Sequence, residues 1–169
     1  MADIVKYNYG KLSIEKIPKM LHAIIKVKTV SQALEKRKTL PSLVTMKKDL
    51  GEEKTLAYVE LLIVNTNEFF NIKDKMRPSQ IKETAQMILE EYYFFSLLEV
   101  IYVFKEAKKG RYGEIYNSLD GSKIMKWFAS YADDRLQEAE RQSEQEASKF
   151  KVKDDHLRIS KPERIKYKK

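Results

Sequence analysis

Hydrophobic positions recur every three or four residues along most of the chain, a spacing that predicts amphipathic helices. The three clearest stripes share the periodicity of one helical face, and we expect them to pack into one core. No alternating strand pattern or hairpin signal interrupts them, so the sequence predicts an all-α, compact multi-helix bundle. The stripes are Ile81, Ala85, Ile88, Leu89 and Tyr92; Leu97, Ile101 and Phe104; and Ile124, Trp127, Phe128 and Tyr131.

Residues that cap or stop helices divide these stripes into elements. Residues 1–12 are expected to be irregular, and a first helix is expected to follow within 13–25. The later boundaries are set by serine or aspartate caps, by a proline in a first turn and by glycines after a last turn. They predict helices over Val30–Lys38 and Ser42–Leu50, then from Glu52 to about Asn71, from Pro78, from Ser96 to Gly110, and from Asp120 onward.

From Asp133 onward the last predicted helix loses its apolar stripe. Residues 133–148 carry two basic and six acidic side chains, and a helix that is polar on nearly every side is solvent-exposed, bridges parts of the molecule or binds a partner. The segment 151–169 is basic and poor in apolar residues, so we expect it to be flexible until bound. The sequence therefore predicts a single helical domain over residues 1–150 and a basic tail over 151–169.

Charge is distributed unevenly over the 169 residues, whose net charge is +8. Residues 1–50 contribute +7 and residues 149–169 contribute +6, whereas 51–132 contribute −1 and 133–148 contribute −4. A polyanion would meet the two basic ends first, although solvated ends that aid solubility explain the same charges. The N-terminus lacks the apolar segment of a secretory signal, and uncharged runs such as Tyr92–Leu98 are too short to span a bilayer. We expect a cytoplasmic protein with no membrane insertion.

The residues that usually carry catalysis or bind metal are scarce. The chain has no cysteine and two isolated histidines, His22 and His156, which excludes thiolate chemistry and leaves no zinc-binding pattern. Adjacent carboxylates such as Glu90–Glu91 point to different helix faces, which favours surface charge over an acid–base pair. The phosphate-loop motif is absent, since Gly121–Lys123 reverses its order. We therefore predict no enzyme activity, no catalytic residue, no metal and no cofactor.

The segment Lys105–Tyr131 holds three of the five glycines and the only tryptophan, together with a cluster of basic residues and tyrosines. Basic side chains beside aromatic rings suit phosphate neutralisation and base stacking. The glycine turn, Gly110–Gly113, equally fits a helix stop, with the aromatic residues acting as the lid of a core. On the functional interpretation, we expect the candidate nucleic-acid-binding residues to converge on one exposed surface. They are Lys105, Lys108, Lys109, Arg111, Tyr112, Tyr116, Lys123 and Lys126.

Residues in the middle of the chain also form a distinctive combination. It comprises Gly51, Asn67–Asn71, Pro78, Glu90–Tyr93, the spacing Gly110, Tyr112, Gly113 and Tyr116, then Asp120–Gly121, Trp127, Tyr131 and Arg135. With this combination, roughly residues 43–140 resemble an uncharacterised domain family of Bacteroidota and their phages and mobile elements. The resemblance implies a cytoplasmic accessory protein of a phage or integrated element, serving replication or packaging. It implies no catalytic residue.

Three classes of function remain open at this point. The leading hypothesis is a non-catalytic nucleic-acid-associated accessory protein, whose glycine turn and basic tail contact phosphates and whose polar helix 133–148 binds a protein partner. The second is a structural or adaptor protein, such as a virion component or a protein-binding inhibitor, with no nucleic-acid role. The third, a hydrolase or nuclease with dispersed carboxylates, has the least support.

Overall fold

The structure, a computed structural model, describes residues 27–155, with side chains described for 27–38 and 40–148. Within this part of the chain there are six α-helices, one short 3-10 helix and no strand, which confirms the all-α prediction. The predicted irregular start, the helix expected within 13–25 and the tail from residue 156 lie outside the described residues. The helices are α1 (Val30–Lys36), the 3-10 helix (Arg37–Thr39), α2 (Leu43–Leu50), α3 (Glu52–Phe69), α4 (Pro78–Glu91), α5 (Leu97–Lys108) and α6 (Gly121–Asp155).

Capping side chains set most of the helix starts. Ser42 Oγ accepts a hydrogen bond from Thr45 N at 3.3 Å at the start of α2, and Asp120 Oδ1 accepts one from Lys123 N at 3.0 Å at the start of α6. At the start of α5, Ser96 N donates to Glu99 Oε2 at 2.8 Å while Glu99 N donates to Ser96 Oγ at 3.3 Å. These bonds satisfy amide groups that the first turn of a helix leaves without partners.

Helix α5 lies at the centre of the bundle. Ten of its twelve side chains are buried, and α1, α3 and α6 pack around it. The residues left outside this buried set are Lys105 and Lys108. The expected core is confirmed at Ile88, Ile101, Phe104, Ile124, Trp127 and Phe128, whereas Leu89 is only partly buried.

Helix α6 changes its surroundings along its 35 residues. Its early turns pack on α4 and α5, and α1 covers a later stretch, where Gln142 Nε2 donates to Ser31 Oγ at 3.1 Å. One face of the predicted partner-binding helix 133–148 is therefore occupied by α1 within the same chain. All side chains from Ser143 to Ser148 are exposed. The helix continues through Asp155, so the predicted boundary at residue 150 falls inside it and residues 151–155 are helical.

Two loops lie side by side at one end of the bundle, the α3–α4 loop (70–77) and the second part of the α5–α6 connection (114–120). Asp74 N donates to Asn117 O at 3.0 Å and Leu119 N donates to Asp74 O at 3.3 Å, which forms an isolated parallel bridge. Asn67, buried near the end of α3, hydrogen-bonds the backbone of Met76 at 3.0 and 3.2 Å. These contacts fix the first loop on α3 and the second loop on the first.

Candidate nucleic-acid interface

The glycine turn has the geometry of a helix stop. Gly110 and Gly113 have φ values of 82° and 96°, in the left-handed region that glycine adopts without steric penalty. Arg111 N donates to Glu106 O at 3.1 Å and Gly113 N donates to Gly110 O at 3.1 Å. The two glycines therefore end α5 and reverse the chain, as the structural interpretation of this segment expects.

The candidate lysines on α5 bind to two different parts of the fold. Lys105 Nζ donates to the carbonyl oxygen of Val27 at 2.5 Å. Lys108 Nζ donates to Asn65 Oδ1 on α3 and lies 5.4 Å from the centroid of the Phe69 ring. Burial lowers the pKa of both lysines, because removal from water disfavours a charged ammonium. Both side chains are thus used to join α5 to neighbouring segments.

The next two candidate cations form ion pairs within the fold. Lys109 Nζ lies 2.6 Å from Glu106 Oε1, and the Glu106 residue is only 7% exposed. Arg111 Nη2 lies 3.0 Å from Asp134 Oδ2 on α6, and its Nη1 donates to Tyr102 Oη at 3.4 Å. Each of these positive charges is therefore compensated by a carboxylate of the same molecule.

Tyr112 belongs to the aromatic packing around α6. Its ring stacks on Trp127 with centroids 6.4 Å apart and an interplanar angle of 20°. Its hydroxyl is buried and has no hydrogen-bond partner among the described residues, and burial raises its pKa. One face of the Tyr112 ring is thus occupied by Trp127, which matches the expected alternative of an aromatic lid.

The last three candidates are Tyr116 in the α5–α6 connection and Lys123 and Lys126 in the first two turns of α6. Lys123 Nζ donates to Ser118 O at 2.7 Å and lies 3.5 Å from Asp120 Oδ2, so it ties the start of α6 to its own loop. Tyr116 is 69% exposed. Lys126 is also exposed and forms no ion pair with a described residue.

Most of the candidate side chains are bound within the fold. Their partners lie on the segment before α1, on α3, on α5, on α6 and on the loop before α6. Among the eight, Tyr116 and Lys126 extend from the surface without a hydrogen-bonding or ionic partner in the described part of the chain. Binding of nucleic acid by the set remains a prediction.

Loop pairing adds two cations that the sequence pattern does not single out. Lys73 and Arg77 are exposed and form no ion pair within residues 27–148, whereas Lys75 pairs with Glu68 at 2.8 Å. The bridge between Asp74 and Ser118 brings their loop to the end of the bundle that carries Tyr116. No local signal could have joined these loops, because they are far apart in sequence. We call Lys73, Arg77 and Tyr116 of the two loops, together with Lys126 in the second turn of α6, the paired-loop surface.

A buried ion pair between α5 and α6 also escapes the sequence pattern. Arg135 Nε donates to Glu99 Oε1 at 2.7 Å, and Tyr131 Oη donates to the same oxygen at 3.3 Å. Glu99 is 1% exposed. The Arg135 guanidinium lies over the rings of Phe94 and Phe95, at 5.3 and 5.5 Å. With both Glu99 oxygens hydrogen-bonded, this carboxylate serves to hold α6 on α5.

Two other kinds of site are absent from the described residues. Among the described side chains, no three His, Cys, Asp or Glu residues are grouped so that they could hold a metal ion; His22 and His156 lie outside this part of the chain. None of the described helices combines the length and apolar character needed to cross a membrane.

Comparison with known proteins identifies a family. A family model described as "Family of unknown function (DUF6633)" matches residues 75–168, more than half of the chain. The chain therefore belongs to this family. The match starts after Gly51 and Asn67–Asn71 and runs into the basic C-terminal segment, whereas the resemblance seen in the sequence covers 43–140. No curated protein and no solved structure matches the chain.

Proposed function

We propose that this DUF6633 protein is a non-catalytic, nucleic-acid-associated accessory protein of a phage or mobile element, with replication as the first process to test. The observation that carries the proposal is the paired-loop surface. Three exposed cations form no ion pair with a described residue: two lie on the loop that pairs with the loop of a largely exposed tyrosine, and the third lies in the second turn of α6, which follows that tyrosine. Cations suit phosphate contacts and an aromatic ring suits contact with a base.

The distribution of charge supports this proposal. Residues 27–155 contain 22 basic and 22 acidic side chains, so the net charge of +8 arises from the two ends of the sequence. Residues 1–26 contain five basic and two acidic side chains, and residues 156–169 contain six and one. Basic ends attract a polyanion over a distance of about a Debye length, ~8 Å at physiological salt. Because residues 27–155 have no net charge, we expect local contacts with nucleic acid to form at surfaces such as the paired-loop surface.

The test compares two triple variants in a salt titration of oligonucleotide binding. Lys73→Gln, Arg77→Gln and Lys126→Gln remove the paired-loop cations; Lys108→Gln, Lys109→Gln and Arg111→Gln remove cations at the glycine turn. Each phosphate contact contributes about 0.7–0.9 to the slope of log affinity against log salt. We expect the paired-loop variant to reduce that slope by about 2 and the glycine-turn variant to leave it unchanged.

Two results would contradict the proposal. Absence of salt-dependent binding by the unmodified protein at micromolar concentration would reject a nucleic-acid role. A slope reduced only by the glycine-turn variant would move the interface to the residues that the sequence singled out. Circular dichroism of both variants checks that the helical fold is retained.

An adaptor role is the second candidate, because one apolar patch is exposed elsewhere. Val44 N donates to Tyr93 O at 2.9 Å, which brings α2 beside the α4–α5 turn. The side chains of Val44, Tyr93 and Phe94 are 49%, 53% and 42% exposed. Adjoining exposed apolar side chains favour a protein contact.

The adaptor role predicts a complex that persists in high salt after nuclease treatment. The single variants Val44→Asp and Tyr93→Asp should each dissociate that complex and leave oligonucleotide binding unchanged. The solution mass before and after substitution distinguishes self-association from capture of another protein. A complex unaffected by both variants would reject this patch as the contact.

A further inference from the structure

We infer that the paired-loop surface selects single-stranded over double-stranded nucleic acid, with Tyr116 stacking on one unpaired base. This inference rests on the proposed function and specifies the form of its ligand. It follows from how Tyr116 is held, from the small excess of positive charge around it, and from the state of the adjacent helix terminus.

Tyr116 projects from a loop whose backbone is fixed on both sides. Ser118 N donates to Tyr116 O at 2.6 Å, and the following residue, Asn117, has a φ of 59°. Ile115 packs against the core before it, and Leu119 is 3% exposed after it. A ring that is 69% exposed on such a backbone loses little chain entropy when it stacks on a ligand.

The charge near Tyr116 is too small to favour a duplex. The paired-loop surface has three positive charges, on Lys73, Arg77 and Lys126, but its two loops also carry the exposed carboxylates of Asp74 and Glu114. Duplex binding without base contacts depends on neutralising many phosphates. Stacking on a base depends much less on charge, and internal bases of a duplex already stack on both neighbours, so the ring gains a partner only when bases are unpaired.

The start of α6, five residues after Tyr116, is already bound by side chains of the same chain. The first turn of a helix attracts phosphate through its free amide groups. At the start of α6, Asp120 Oδ1 already accepts the hydrogen bond of Lys123 N, and Lys123 Nζ is bound to Ser118 O. The Asp120 carboxylate would also repel an approaching phosphate. The start of α6 therefore adds no phosphate site beside Tyr116.

The experiment measures fluorescence anisotropy of a labelled oligothymidylate and of the same strand in a duplex with oligoadenylate, at several salt concentrations. We expect the unmodified full chain to bind the single strand more tightly. Tyr116→Ala should weaken single-strand binding about tenfold, which is the range of one lost stacking contact. The salt slope and the duplex affinity should stay the same, and Tyr116→Phe should retain the single-strand affinity.

The outcomes separate this inference from the proposed function. Salt-dependent binding that is equal for both ligands, or unaffected by Tyr116→Ala, would overturn the single-strand preference and leave the nucleic-acid role in place. Absence of salt-dependent binding to either oligonucleotide would overturn both. Thermal unfolding of the two Tyr116 variants should match the unmodified protein, because the exposed ring packs little on the core.

Discussion

The glycine turn and the paired-loop surface have similar residue types but different surroundings. The cations near the glycine turn lie on α5, which is buried on nearly all sides, or on the residues just after it, and they bind a backbone carbonyl, an amide oxygen or a carboxylate. The cations of the paired-loop surface lie on exposed loops or on the outer side of α6. A dense run of basic residues in sequence therefore does not reveal how much positive charge is free. The partners supplied by the fold decide that.

The largest expected effect is on the core side of this comparison. Trp127→Ala should lower the free energy of unfolding by about 3–5 kcal/mol, because it leaves a cavity between Phe104, Phe70 and the Tyr112 ring. Tyr116→Ala is the matched control on the exposed side and should change it by less than about 0.5 kcal/mol. Urea denaturation measures both. If both variants lower the free energy of unfolding by similarly small amounts, the glycine turn is not anchored in the core.

A smaller effect compares two lysines. Lys109→Met removes the ionic partner of the buried Glu106 carboxylate, and leaving such a group unpaired costs about 1–2 kcal/mol of stability. Lys126→Met removes a cation with no ionic partner among the described residues, so its effect on unfolding should stay within about 0.5 kcal/mol. Equal effects of the two changes on the denaturation midpoint would show that the ion pair of Lys109 with Glu106 does not contribute to stability.

The smallest effect concerns the acid sensitivity of the α6 start. Burial raises the pKa of Asp120. Hydrogen bonds from Lys123 N and Ser122 and the charge of Lys123 have the opposite effect, and together they lower this pKa below its ordinary value. Because the pKa of Asp120 is lower in the folded than in the unfolded protein, its negative charge stabilises the fold above the unfolded pKa of about 3.9. This stabilisation is lost as the pH falls through the pKa of the folded protein. Because the Asp120 side chain is 42% exposed, we expect its charge to contribute only about 0.5 kcal/mol to the free energy of unfolding.

Asp120→Asn tests this pH dependence, since asparagine retains a capping oxygen without titrating. The unmodified protein should unfold at a higher temperature than the variant at pH 6. The difference should shrink on acidification from pH 4 to pH 2. A difference that is constant over the whole range would show that the charge of Asp120 contributes nothing to the stability of this end of the bundle.

The sequence predicts helices well because their signals are local. The caps at Ser42, Ser96 and Asp120 act within one turn, and the stripe of Trp127 is visible over two turns. The contact between Arg135 and Glu99 depends on the register of two packed helices, which no single periodicity determines. The pairing of Asp74 with Ser118 likewise depends on where α3 and α5 end in space. For that reason the sequence indicates which cations are close together along the chain, whereas the folded chain determines which partners they bind.

The length of helix α6 sets the distance between the paired-loop surface and the start of the basic C-terminal sequence. The helix starts beside the paired-loop surface and extends to Asp155, where the basic sequence 156–169 follows. At 1.5 Å per residue, its 35 residues span about 50 Å. An oligonucleotide shorter than this span contacts one end of α6 at a time, whereas a longer one reaches both. Affinity plotted against oligonucleotide length should therefore rise in a step, rather than smoothly, if both ends take part in binding.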